Sequence, residues 1–554
     1  MSQNENKNDS EIYIVPMQVD KDGRPIASTR LTLAQDKREN VILPMPITVI
    51  PIVLIPGIMG TNLQSTNGEI IWRPPNLDGA GAVLDAVGQL FAFFFRGPAT
   101  RQKNLNPLEA KVDDRGSVDA GSAGDTMDDK LARERGWGSV MRSSYQPMMC
   151  RLQKELNDVM LQAKLKPWWA GEGMRAPADY GEQKGDAVLT EAELKHAAHY
   201  RYEVWAGGYN WIKSNRDSAQ ELIDYIDKTV LAHYKKTNQR ADKVILVTHS
   251  MGGLVARAMT HIHNYPNVLG VVHGVMPATG APATYHHARC GYDGVSSIIL
   301  GRNAKEVVPV MCNSPGALEL IPSADYKEGK PWLKLGGATN EGPQLPKVDV
   351  YEEIYKSREW YGLVPAHNEK LLDPANIAAV KNPGGGISLN YQESVATQFD
   401  KRVDKVKKFH EAISKKYPSP SYAHYGADSR EHSWETVHWK GPSISEDASQ
   451  QVDKDDHNGS LRLGSSKAHI ALEFGEANQP GDGTVPTVSG EAPGQAGTNA
   501  SFRQGDQGKG EYAGTNRKGK AQGYDHQGSC NDPRAQWATL YGIVKIAQEA
   551  NWHD

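Results

Sequence analysis

The residues with the clearest chemical potential are Thr248-His249-Ser250-Met251-Gly252-Gly253. They stand between a β-branched run, Lys243 to Thr248, and a stretch from Met251 to Asn264 that reads as a helix. A serine on a strained strand-to-helix turn exposes its hydroxyl. Small residues beside it prevent clashes, and the helix N-terminus favours negative charge developing nearby. Ser250 is therefore predicted to be a nucleophile. The usual pattern for such an elbow is G-x-S-x-G. Here Thr248 takes the place of the first glycine, which predicts a slightly wider turn, while Gly252 and Gly253 are kept.

A nucleophilic serine needs a histidine to take its proton and a carboxylate to orient that histidine, here in the chain order serine, acid, histidine. Asp482 lies in Gly481-Asp482-Gly483-Thr484-Val485-Pro486, a tight turn after the apolar run Ala468 to Phe474. His526 lies in Tyr524-Asp525-His526-Gln527-Gly528, just before a predicted helix at Pro533 to Ala550. Asp506, Asp525 and Asp532 compete for the acid role but sit less well in that order. An oxyanion would need N–H donors. One is predicted at Met251, the other in Gly57-Ile58-Met59-Gly60, where Ile58 is preferred and Met59 remains the alternative.

These loops need a rigid frame. Ile47 to Ile55, Tyr200 to Ala206, Lys243 to Thr248 and Val268 to Met276 read as buried strands. Helical spacing at Tyr145 to Leu165, Asp217 to Lys236 and Met251 to Asn264 separates them. Such alternation predicts a mostly parallel sheet covered on both faces. The expected layout is a polar lead at 1–46, a first core part at 47–282 and a cap or insertion at 283–467. A second core part at 468–554 would carry the acid and histidine loops.

Composition narrows the function classes. The 554 residues carry 62 Lys+Arg against 66 Asp+Glu, a net charge of −4, and no basic cluster interleaved with aromatics, so no nucleic-acid partner is predicted. A mean hydropathy of −0.57, 54 Gly and 32 Pro predict a compact core with long irregular connections. Cys150, Cys290, Cys312 and Cys530 form no C-x-x-C pair, which leaves one or two disulfides open. Met1 to Ser10 lacks the basic start and apolar run of a secretory signal, so synthesis in the cytoplasm without a cleaved signal is predicted. No metal is predicted. Asp453 to Gly459 is partly like a calcium loop, but its glycine comes one place late and no Glu closes it. Asp125, Asp128 and Asp129 read as a charged loop, and His286-His287 and His261 with His263 lack the partners of a zinc motif.

Four of the eight Phe are Phe91, Phe93, Phe94 and Phe95, at the end of the apolar window Ala80 to Phe95. That window is shorter than the ~20 residues of a spanning helix, and no transmembrane segment is predicted. Two readings stand: a lid or membrane contact, and a buried element packed under the insertion.

Four pieces carry a resemblance: P-I-V-L-I-P-G-I-M-G-T-N-L (Pro51 to Leu63), G-Y-N-W (Gly208 to Trp211), V-T-H-S-M-G-G-L-V-A-R (Val247 to Arg257) and G-D-G-T-V-P (Gly481 to Pro486). In this order they resemble the α/β-hydrolase lipases, the group around lecithin:cholesterol acyltransferase and the bacterial lipases. With its large insertion and polar lead, the chain looks most like the antibacterial lipase effectors of type VI secretion systems. The resemblance implies an α/β-hydrolase fold with a large cap or lid insertion, and a serine phospholipase that needs no cofactor and acts on membrane glycerophospholipids. It also implies a secretion spike protein, a cognate immunity protein and delivery into a target cell's periplasm. Two other readings are a soluble carboxylesterase or acyltransferase on a non-membrane ester, and a non-catalytic binding module with this fold.

Overall fold

The computed structural model describes residues 13–19, 25–27, 40–43, 46–74, 97–124, 126–161, 163–185, 187–292, 301–337, 342–377, 393–444, 451–465, 468–505 and 523–552. The Phe91, Phe93, Phe94 and Phe95 cluster lies outside the described residues, as do Asp125 and Asp506.

The central sheet is built from β1 (Val49–Ile55), β2 (Glu182–Lys184), β3 (Arg201–Ala206), β4 (Val244–His249), β5 (Val268–Gly274), β6 (Ser421–Ser433), β7 (Gln479–Gly481) and β8 (Ala500–Gly505). Its order is β2-β8-β6-β5-β4-β1-β3, with β7 pairing onto β6. The strands from β8 to β3 run parallel, while β2 and β7 pair antiparallel at the margins. A strand buried on both faces reads as a continuous apolar run, and β1 shows why. Ile50, Ile52 and Leu54 join one core cluster, and Val49, Val53 and Ile55 the opposite one.

Helices α1 (Arg142–Leu156), α2 (Asn215–Tyr225), α3 (Gly252–His261), α4 (Val395–Ile413) and α5 (Pro533–Ala547) flank this sheet. α1 and α5 supply Met148, Leu152, Trp537 and Ile543 to the Ile50 face. α2 and α3 supply Leu222, Leu254 and Met259 to the Val49 face. The helix predicted at Tyr145 to Leu165 stops at Leu156, followed by a hairpin of Met160–Leu161 and Lys164–Leu165. α2 continues to Lys236 through a wider turn at Ile226–Leu231.

A second sheet of six strands and its own core, with Trp332, Trp439, Leu363 and Phe399, form the cap. α4 links the two bodies: Phe399, Val403 and Val406 pack in the cap, Phe409 and Ile413 against the Val49 face. The buried Arg257 of α3 donates to the carbonyls of Ile413 and Lys416, closing the end of α4, and to Ala278.

Two expected placements are corrected. The stretch 283–467 is not all cap, because β6 within it pairs with β5 and β8 in the central sheet. Its sequence, S-Y-A-H-Y-G-A-D-S-R-E-H-S, has no aliphatic run, although its first eight residues are buried. Ala468–Phe474 is a strand, but it pairs with Ser460–Ser465 and Val437–Lys440 in the cap sheet rather than opening the second core part. Apolar spacing identifies a strand and carries no information on which sheet receives it.

Candidate active site

Ser250 sits between β4 and α3 with φ +51, a left-handed backbone uncommon for a residue with a side chain. Its N–H donates to Gly274 O at 2.8 Å. The turn closes only because Gly252 has no side chain, since a Cβ there would lie 2.5 Å from Ile55 O and 2.7 Å from Pro56 O. Gly57 approaches from the other side, where a Cβ would stand 2.9 Å from both Ser250 Cβ and His249 Nδ1. Thr248 remains within β4, and its Oγ1 pairs with His273 Nδ1 at 3.1 Å.

The fold brings Ser250, His526 and Asp482 together. His526 Nδ1 lies 2.8 Å from Asp482 Oδ2, and His526 Nε2 lies 2.9 Å from Ser250 Oγ. A carboxylate oxygen only accepts, so Nδ1 carries the proton and the free lone pair of Nε2 faces the serine hydroxyl. Asp482 is 1 % exposed. Its Oδ1 accepts the N–H groups of Thr484 at 3.0 Å and Val485 at 2.7 Å, and its carbonyl accepts from His526 N at 2.8 Å. Gly483, at φ +84, makes the turn, and β7 holds the loop against β6. The histidine loop is pinned at Tyr524, whose N–H donates to the buried Asp428 at 2.9 Å.

The competing acids are occupied elsewhere. Asp525 accepts from Gly528 N in its own turn, and Asp532 caps α5 and pairs with Arg534.

The loop after β1 is framed by aromatic donors. Tyr209 Oη donates to Pro56 O at 3.0 Å, Trp72 Nε1 to Met59 O at 2.7 Å and Trp211 Nε1 to Thr61 O at 3.2 Å. Tyr209 and Trp211 belong to the G-Y-N-W piece, so that piece buttresses this loop. Among the described residues no protein group accepts the N–H of Met251, Ile58 or Met59, and Met59 has φ +62. Met251 is fully buried, and Ile58 packs against both the cap core and the Val49 face.

Sequence reasoning missed two residues at this site. His249 is buried, and burial together with the nearby His526 pushes its imidazole down to about 3. Tyr145 on α1 lies 3.2 Å from His249 Nδ1. The only signal for His249 was its place beside Ser250, and Tyr145 stood out only as the first residue of a helical stretch.

No group of three His, Cys, Asp or Glu among the described residues is arranged to hold a metal ion. In the loop at Asp453 to Gly459, Asp453 pairs with Arg462, Asp455 with His367, and Asp456 accepts two backbone N–H groups of its turn. Asp128 caps a short helix, and Asp129 accepts from Ala120 N. The four cysteines are buried and form no disulfide among the described residues. No helix among the described residues is long and apolar enough to cross a membrane.

The PGAP1-like alpha/beta domain family matches residues 206–295, which span the elbow. No curated protein matches the chain. The solved structure of a Tle4–Tli4 complex contains a chain 42 % identical to this one, with a TM-score of 0.78, over 91 % of this chain and 99 % of that one. This chain belongs to the Tle4 family. Like its relative, this Tle4-family member is an α/β-hydrolase, and the resemblance to effectors of this kind holds across nearly the whole chain.

Proposed function

We propose that this Tle4-family chain is a serine phospholipase that hydrolyses acyl esters of membrane glycerophospholipids. The observation that carries the reading is the unbroken line from Asp482 through His526 to Ser250, at 2.8 and 2.9 Å. Ser250 Oγ attacks the acyl carbonyl as His526 Nε2 takes its proton. The oxyanion is met by the N–H groups of Met251 and Ile58. His526 then protonates the departing alcohol, and water, activated by the same imidazole, releases the fatty acid from the acyl enzyme. Asp482 holds His526 in the working tautomer and offsets its transient positive charge. Each step needs only protein groups and water.

Membership of the Tle4 family extends the proposal to biology. A relative held in a complex with Tli4 supports a cognate immunity protein for this chain. The effector reading adds loading on a secretion spike protein of a type VI system, and action in a target cell's periplasm. The test is purified protein on vesicles of bacterial glycerophospholipids, with the products separated by mass. Wild-type protein should release fatty acid and lysophospholipid, and Ser250→Ala should release none while keeping its fold. Release by Ser250→Ala at the wild-type rate would end the proposal. Turnover of monomeric esters with none of vesicles would favour a soluble carboxylesterase.

A further inference from the structure

Ser250 is flanked by a buried chain of hydrogen bonds that takes no part in the steps above. Gly57 N lies 3.1 Å from Tyr145 Oη, Tyr145 Oη 3.2 Å from His249 Nδ1, and His249 Nε2 3.0 Å from the backbone carbonyl of His526. The chemistry of the ends sets every proton in between. A carbonyl only accepts, so His249 carries its proton on Nε2. Its Nδ1 is then an acceptor, because burial keeps this imidazole neutral. Tyr145 must therefore donate its hydroxyl proton to His249, and the phenol oxygen receives the N–H of Gly57. Burial also holds the Tyr145 hydroxyl protonated.

This line runs from the loop that offers N–H groups to an oxyanion to the backbone of the base. α1 reinforces both ends. Met141 N donates to Gly60 O at 2.9 Å on the oxyanion side. On the histidine side, Gln527 Nε2 donates to Ser144 Oγ at 2.6 Å and Asn531 Nδ2 to Ser143 O at 2.9 Å.

We infer that Tyr145 and His249 are positioning residues: a tautomer-locked crosspiece that fixes the separation between the oxyanion loop and the His526 backbone. Their hydrogen bonds reach Gly57 N, each other and the His526 carbonyl rather than Ser250 Oγ or the His526 ring nitrogens. The inference rests on the proposed ester hydrolysis, because it concerns the alignment of that site's two halves. A directional chain with a single proton arrangement holds this spacing better than apolar packing, since any slip leaves buried donors unpaired. Displacing catalytic groups by about 1 Å is enough to cost on the order of 100-fold in rate.

The experiment measures steady-state kinetics on a monomeric ester for wild type, Tyr145→Phe, His249→Phe, the double variant and Tyr202→Phe. Tyr202 serves as the control for structural loss. It is fully buried in the same core cluster as Tyr145, and its hydroxyl donates to Ala197 O at 3.0 Å, away from the site. Tyr145→Phe removes only a hydroxyl and retains the ring packing, so it remains informative if His249→Phe fails to fold. The inference expects kcat to fall about 10- to 100-fold in Tyr145→Phe and His249→Phe, with KM held within about twofold. The double variant should lose no more than the worse single variant, because either change breaks the whole chain. Tyr202→Phe should lower Tm and leave kcat at the wild-type value. An active wild type with unchanged kcat in Tyr145→Phe overturns this inference alone, as do losses that multiply in the double variant. A wild type that turns over no ester overturns the parent proposal and this inference with it.

Discussion

Replacing Asp482 with asparagine changes one atom of the site and leaves its shape intact, so the outcome is set by where the new amide points. The carboxylate has two demanding neighbours: Oδ1 accepts two backbone N–H groups, and Oδ2 accepts the His526 proton. With its NH2 turned toward Thr484 and Val485, the amide would face two buried donors with another donor. That leaves both N–H groups unpaired at about 1–3 kcal/mol each. The amide must instead keep its oxygen on those N–H groups and present its NH2 to His526 Nδ1. His526 then shifts its proton to Nε2, where it points at Ser250 Oγ and cannot accept from it. A base held in the wrong tautomer loses about 10⁴-fold in kcat, or about 5.5 kcal/mol of transition-state stabilisation. Initial rates on a monomeric ester, with the rate of fluorophosphonate labelling at Ser250, read this directly, and a melting curve reports the fold. An Asp482→Asn protein that melts like wild type and keeps its kcat within about tenfold would refute the tautomer argument.

Gly57→Ala places a methyl 2.9 Å from Ser250 Cβ and His249 Nδ1, pushing the oxyanion loop off the elbow. Its kcat should fall at least about 100-fold, with a smaller effect on KM, in the same ester assay. Acid should destabilise the fold well before the carboxylates titrate. Burial pushes His249, His273 and His286 down to about 3, and His410 and His424 to about 4. The unfolded chain binds these protons from about pH 6.5 downward while the folded one refuses them, so stability is lost as pH falls through that window. Each such group contributes up to about 1.4 kcal/mol per pH unit, and urea unfolding midpoints between pH 7 and 4.5 should fall accordingly. Glu319 works in the opposite sense. Burial pushes its carboxyl up to about 8, so the folded state keeps a proton that the unfolded state releases near 4.5, and stability declines as pH rises between those values. Glu319→Gln should flatten that decline, read as urea midpoints at pH 5 to 8, and an unchanged slope would show that this group does not carry it.

How much was legible in the sequence follows from the kind of signal each residue leaves. Ser250, Asp482 and His526 are drawn together from loops flanked by Gly252, Gly483 and Gly528, residues that mark turns whatever the tertiary context. β1, β4 and β5 were readable as apolar runs because strands buried on both faces are largely apolar, whereas β3, R-Y-E-V-W-A, buries the Arg201–Glu203 ion pair among its apolar residues. β6 was not, because its burial is met with Tyr422, Ala423, His424 and Tyr425, and a small or polar residue in a strand has no periodic signature. The roles of Tyr145 and His249 depend on an approach between segments 104 residues apart, which no local pattern encodes. The aromatic framing of the oxyanion loop was half visible, since G-Y-N-W stood out as a piece while the carbonyls it serves did not.

The order of the parts along the chain has a consequence for biosynthesis. The base follows the nucleophile by 276 residues. At about 5–20 residues per second, a ribosome adds that length in roughly 14–55 seconds. Over that interval β6, β8 and finally the imidazole are added in turn. A serine hydroxyl without its base is a weak nucleophile at neutral pH. On the proposed triad, ester hydrolysis therefore waits for the His526 loop, which is made after the rest of the site.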